Sequence, residues 1–190
     1  MSISRGPATA RSAGRGLPER WNATLVEAAA TFPCDGLAPR GFIALTRAID
    51  VDTSPPMVFR WLCQLRAAPY SYDWIDNLGR RSPRQLSPGL DDLQTGQRFL
   101  IGTITSFVPN QHITVRGTPE AERLFGVIAL TYQVVNRGAS GSRLLVRLDV
   151  HPPNRLWKRA RYLVLAWGDV IMMRKQLHTL KKRAESSASR

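Results

Sequence analysis

The stretch RLLVRLDVHPPNRLWKRARYLVLAWGDVIMMRKQLHTLKKRA, from Arg143 to Ala184, decides the fold. It opens with strict alternation: Leu144, Val146, Leu148 and Val150 point one way, Arg143, Arg147 and Asp149 the other. Side chains of a strand alternate faces, so this pattern predicts a strand with one apolar and one wet face. Pro152-Pro153 ends it. From about Asn154 the period changes, and Leu156, Ala160, Leu163, Trp167, Val170, Met173, Leu177 and Leu180 recur three or four residues apart. That spacing gathers them into one apolar stripe on a helix running to about Ala184. The stripe needs a cover, and the sheet that contains Arg143 to Val150 is the natural one.

Upstream of this stretch the sequence supplies the rest of the sheet. Arg98 to Val108, Gln111 to Arg116 and Phe125 to Val135 read as strands, with Pro109-Asn110 and Asn136 to Gly141 as turns. Four consecutive strands with short connections form an antiparallel meander with one wet face. Gly41 to Val51 is a further strand, on which Ile43, Leu45, Ile49 and Val51 share an apolar face with Arg47. Asp52-Thr53-Ser54-Pro55-Pro56 starts a helix, because capping residues and first-turn prolines suit that position. Val58, Trp61, Leu62 and Leu65 form its apolar stripe. Residues 80–96 are polar, with Pro83, Pro88 and Gly89, and predict a long loop with room for one short edge strand. At the N-terminus, Pro18-Glu19-Arg20 opens a short helix carrying Trp21, Leu25, Val26 and Ala29. The expected organisation is a disordered tail (1–16), an extension with a short helix (17–40), one α+β domain (41–185) and a second disordered tail (186–190).

This order of elements is similar to the START-like superfamily, also called SRPBCC. The resemblance rests on TRAIDVDTSPPMVFRWLCQL (46–65), PYSYDWIDNLGRRSPRQL (69–86) and GDVIMMRKQLHTLKKRAE (168–185), which resemble its bacterial polyketide cyclase/dehydrase branch. It extends from Gly41 to Glu185 and implies a helix-grip fold, a curved antiparallel sheet of six or seven strands around the long C-terminal helix. It further implies a cavity between sheet and helix for a hydrophobic or amphipathic molecule such as a lipid or polyketide. The expected ligand-binding residues are Leu130, Tyr132 and Val146 from the sheet, with Ile128, Leu144 and Leu148 beside them. Trp167, Val170 and Met173 are expected from the helix, and Tyr72 and Trp74 at the mouth. For each of these the plain alternative is ordinary packing.

Arg47 is the candidate polar group of the pocket. A buried guanidinium requires a partner, and Asp169, Asp73 and Asp76 are the available acids; a one-residue slip of the strand would instead turn it to solvent. The Tyr132 hydroxyl, on an apolar face, likewise needs a partner. His112, His151 and His178 have neither metal-ligand spacing nor a carboxylate neighbour in sequence and read as surface residues.

Nucleophile elbow, P-loop, dinucleotide fingerprint and zinc spacing are all missing from the sequence. No catalytic residue, cofactor or metal is therefore assigned, and an aromatase/cyclase or dehydratase activity rests on the resemblance alone. Cys34 and Cys63 are too few for a disulfide framework, and the N-terminus has no apolar signal-like run, so the expected compartment is the cytoplasm. The formal net charge is +13. From His151 onward ten Lys or Arg stand against Asp169 and Glu185 alone, whereas Gly41 to Val150 holds twelve against nine. The excess therefore belongs to the last helix, as a solvated face or as a surface for nucleic acid or anionic membrane. A hydrophobic small molecule is the expected partner; oligomeric state is not encoded in any pattern here.

Overall fold

The computed structural model describes residues 16–39, 41–72, 82–138, 141–151 and 156–188. Its seven strands are β1 (Arg20–Trp21), β2 (Ile43–Val51), β3 (Arg98–Phe99), β4 (Gly102–Val108), β5 (His112–Gly117), β6 (Ile128–Asn136) and β7 (Ser142–Val150). They form one sheet in the order β1-β2-β7-β6-β5-β4-β3, antiparallel throughout except for β1 against β2. A bulge between Ile104 and Ser106 on β4 adds local bend and twist. Among the described residues the α-helices are α1 (Leu25–Ala29), α2 (Pro55–Cys63), α3 (Pro119–Phe125) and α4 (Leu156–Ala188). The arrangement is the expected α+β helix grip, with α4 lying across the concave face of the sheet and α2 packed beside it.

Register explains the apolar concave face. Across β2, β7 and β6 the ladder aligns Leu45 with Leu148 and Leu130, Arg47 with Val146 and Tyr132, and Ile49 with Leu144 and Val134. From α4, Met173, Leu177, Leu180 and Ala184 pack onto them, and from α2 Val58, Trp61 and Leu62. Trp61 is fully buried, its indole N–H donating to Ser187 Oγ at 3.1 Å. These contacts anchor the C-terminal half of α4.

Four expectations need correction. The N-terminal helix does not begin at Pro18. Arg20–Trp21 instead pairs with β2, and α1 begins after Thr24, whose hydroxyl accepts from Glu27 N while the Glu27 carboxylate accepts from Thr24 N. This capping box outcompetes the proline as a start signal. The β5–β6 connection is not a short turn but α3, capped by the Thr118 hydroxyl accepting from Ala121 N. α4 continues through Ala188, into the expected C-terminal tail; residues 1–15 lie outside the described residues.

The fourth correction concerns the second face of the sheet, which is not wet. After the edge strand β1, residues 22–37 cross the convex side of the sheet, where Ala23, Phe32 and Cys34 pack on Ala48, Ala129 and Leu145. Arg147 and Asp149, both expected in solvent, are completely buried. Arg147 donates from Nη2 to the Ala28 and Ala30 carbonyls at 2.6 and 3.1 Å, closing the open C-terminal end of α1, and its guanidinium lies 4.6 Å from the Phe32 ring centre. Arg143 bridges Glu27 at 2.9 Å and Asp50 at 3.0 Å. Charged side chains on alternate strand positions here bind a covering segment, not water.

Candidate functional site

A cavity of about 760 Å3 opens between the sheet and the first half of α4. It lies within the size range of small-molecule sites, roughly 300–1,000 Å3. The sheet contributes Leu45, Ile128, Leu130, Leu148 and Val150, and α4 contributes Leu165, Ala166, Met172 and Met173. Ala67, Ala68 and Pro69 close one side, and Leu100 and Ile101, in the β3–β4 turn, form part of another. Small side chains leave the space. Ala166 and Ala68 stand where a closed core would put large ones, and Gly126 begins the approach to β6.

The floor is polar and fully bonded. Gln176 lines the cavity, accepts from the Tyr132 hydroxyl at 2.6 Å and donates from Nε2 to the Pro69 carbonyl at 2.6 Å. Burial pushes the Tyr132 hydroxyl well above the usual phenol range, with the Asp169 charge adding to the shift. Below this chain the core is packed, with Leu144 and Val146 completely buried.

A second polar feature sits in the helix wall. Asp169 lines the cavity and accepts from Arg47 Nη2 at 2.8 Å. Arg47 is 1 % exposed and also donates to the carbonyls of Pro18, Glu19 and Thr46, at 2.7, 2.7 and 3.1 Å. Burial raises the Asp169 pKa, and the Arg47 charge opposes that rise. The pair therefore fastens α4 to β2 and the N-terminal segment while presenting a carboxyl group to the cavity. Near it, the Tyr162 hydroxyl is buried beside Glu19 without a well-formed hydrogen bond, and burial followed by the Glu19 charge pushes it up to about 12. His151, Arg98 and Arg66 also line the space. Arg66 is committed to the loop, donating to the carbonyls of Gly89, Leu90 and Asp92.

The expected site residues fall into distinct groups. Leu130 and Met173 line the cavity, as do Ile128 and Leu148. Tyr132 and Val146 are completely buried beside it but in the packed core, because the Gln176 chain separates them from the space. Arg47 pairs with Asp169, so its contribution to the pocket is indirect. Trp167 is 46 % exposed on the opposite side of α4 and does not line the cavity. In a helix of 3.6 residues per turn a step of three falls about 60° short of a full turn, so Trp167, three before Val170, rotates outward with Leu163, whereas Ala166 and Tyr162, in steps of four, stay on the cavity side. Tyr72 is half-buried outside the lining, and Trp74 lies outside the described residues. Gln176, Tyr162 and the Ala67–Pro69 segment escaped the sequence reading, since polar or small residues carry no periodic signal.

The convex side holds one further cluster. Cys34 Sγ and carboxylate oxygens of Asp35 and Asp149 lie within 4.8 Å of one another. Asp35 accepts from Phe32 N at 2.7 Å, and Cys34 N donates to Thr131 Oγ1 at 3.1 Å. Burial, then the Asp35 charge, raise Asp149 to about 7 against the pull of Arg147. The Arg147 guanidinium beside the pair opposes the mutual repulsion of the two carboxyl groups. Cys34 and Cys63 are both free and buried, and burial pushes both thiols up.

No family model and no curated protein matches this sequence. Solved structures do match. The solution structure of a protein from Thermobifida fusca aligns over 74 % of this chain and 92 % of its own, with 14 % identity and a TM-score of 0.51. A START superfamily protein from Mycobacterium smegmatis aligns over 77 % and 99 %, at 14 % identity and a TM-score of 0.45. The di-domain ARO/CYC StfQ of the steffimycin biosynthetic pathway aligns over 78 % of this chain, which spans 52 % of it, at 12 % identity and a TM-score of 0.45. At these identities the likeness is one of fold. The sheet order and the concave face gripped by α4 make this a helix-grip fold, and the alignment with the Thermobifida fusca structure is a likeness of that fold.

Proposed function

We propose that the protein binds a hydrophobic or amphipathic small molecule, of lipid-like or polyketide-like character, between the sheet and α4. The observation that carries this reading is the cavity itself: apolar walls from three strands, a turn and a helix, with a few polar groups at fixed places. Apolar walls would take up the hydrocarbon part of the ligand. The Asp169 carboxyl group and the Tyr162 hydroxyl would orient a ligand hydroxyl or carbonyl, each offering a hydrogen bond in a low-dielectric setting.

Turnover of a polyketide-like substrate is less well supported. Proton transfer needs a group free to take or give a proton at the ligand, and Tyr132 is committed to Gln176, as Asp169 is to Arg47. Titration with an environment-sensitive apolar dye such as anilinonaphthalene sulfonate tests the binding reading. Dye should bind the wild type and be displaced by long-chain lipids, and Ala166→Trp, which projects into the cavity, should weaken it at least about tenfold. Equal dye binding by Ala166→Trp would contradict the assignment of this cavity.

A further inference from the structure

We propose that the outward face of the first half of α4 docks the protein onto an anionic phospholipid bilayer. Leu163, Val164, Trp167 and Ile171 are exposed by 50, 73, 46 and 54 %. Their spacing of one, three and four residues places all of them on one side of the helix, as a continuous apolar strip. An exposed strip of this kind marks an interaction surface. Nothing within the described fold covers these four side chains: the N-terminal segment reaches α4 one to two turns further on, where the Trp21 ring meets His178 and Arg174, and from Ala23 onward it packs on the far side of the sheet.

Charge decides the occupant. Along the same side of α4, toward its C-terminus, Arg174, Lys175 and Lys182 are exposed. The acids of α4 are withdrawn from that side: Asp169 points inward to Arg47, and Glu185 is bonded to Lys181 at 2.9 Å. A second copy of the chain fits badly, because two molecules each of formal charge +13 repel. Residues 1–15 fit no better, having three arginines and no acid. Nucleic acid would engage the cations but leave Leu163, Val164 and Ile171 without a use, since phosphate contacts dominate such binding. An anionic bilayer satisfies both chemistries at once, with aliphatic and indole groups at the acyl boundary and cations among the headgroups. The strip also lies on the turns whose inward residues, Tyr162, Leu165, Ala166 and Asp169, line the cavity. Docking would bring the cavity to the lipid surface, although the docking itself does not depend on what the cavity holds.

Sedimentation with vesicles of phosphatidylcholine containing phosphatidylglycerol, against phosphatidylcholine alone, tests the proposal. Wild type should partition to the anionic vesicles and release as salt is raised. The double variant Val164→Glu/Ile171→Glu should lose about fivefold for each charge introduced, and Lys175→Ala about fivefold. Both should keep the wild-type circular dichroism and dye binding, whereas Ala166→Trp should lose dye and keep vesicle binding, which separates docking from the cavity reading. The proposal is overturned if wild type ignores anionic vesicles, or if the Glu variant partitions like wild type. It is equally overturned if those substitutions instead dissolve a dimer in sedimentation velocity or abolish a single-stranded RNA gel shift without affecting vesicles.

Discussion

The two faces of the central sheet use side chains in opposite ways. On the concave face apolar residues surround an open space, and on the convex face charged residues fill a closed one. Leu45, Leu130 and Leu148 look across a cavity at α4, while one strand position away Thr46, Thr131 and Arg147 are sealed beneath the N-terminal segment. Hydrophobicity alone therefore does not identify the solid part of this molecule. The convex face closes because its side chains reach the covering segment, as Arg147 does at Ala28 and Ala30. The concave face stays open where small residues such as Ala166 and Ala68 fail to reach across.

Substitutions can break this contrast, and the largest effect is expected on the polar side. Arg147→Ala would strip two buried carbonyls and a buried carboxyl pair of their cation. Removing one partner of such a buried set costs about 3–5 kcal/mol, and urea unfolding should register it. Limited proteolysis should then cleave within residues 22–37 faster than in wild type. An unchanged unfolding midpoint would mean that the covering segment is held by its apolar contacts alone.

The second test uses pH. Asp149 has a folded pKa near 7, raised from an ordinary value of 3.8. The folded state then binds more protons than the unfolded state between those values. Stability should be greatest below the ordinary carboxylate pKa, fall as pH rises toward about 7 and flatten above it. The slope can reach about 1.4 kcal/mol per pH unit for one proton. Urea unfolding across this range should show the slope in wild type and its loss in Asp149→Asn.

A matched pair of enlargements sharpens the contrast with smaller effects. Ala129→Leu adds a side chain to the closed convex layer, where Ala129 is completely buried; overpacking should cost about 1–3 kcal/mol. Ala166→Leu adds the same atoms to the cavity and should leave thermal stability unchanged or raise it by about 1 kcal/mol. If both destabilise equally, the concave space is not a true void.

How much of this was legible depended on the distance over which a pattern had to act. β7 and the C-terminal half of α4 were readable because each carries its own period: Leu144, Val146 and Leu148 alternate, and Met173, Leu177 and Leu180 keep helical spacing. Arg47 with Asp169 could be anticipated because an arginine on an apolar face calls for an acid, and few acids were in reach. Arg147 and Asp149 misled because charge alternating with apolar residues signals water, and their actual cover comes from residues far away in sequence, around Ala28 and Cys34. α3 was overlooked although Thr118-Pro119-Glu120 is a start signal, since seven residues are too few to show a helical period. The cavity was expected from resemblance, but its outline was not, because empty space is set by how far α4 stands off the sheet. Among the described residues no helix is long and apolar enough to cross a membrane.

Native mass spectrometry of wild type and Ala166→Trp, purified side by side from the same cells, tests the central claim most directly. The account predicts one small hydrophobic molecule released in stoichiometric amount from wild type and little or none from Ala166→Trp, with both chains folded. Wild type that emerges empty and stays empty after incubation with lipid extracts would contradict it.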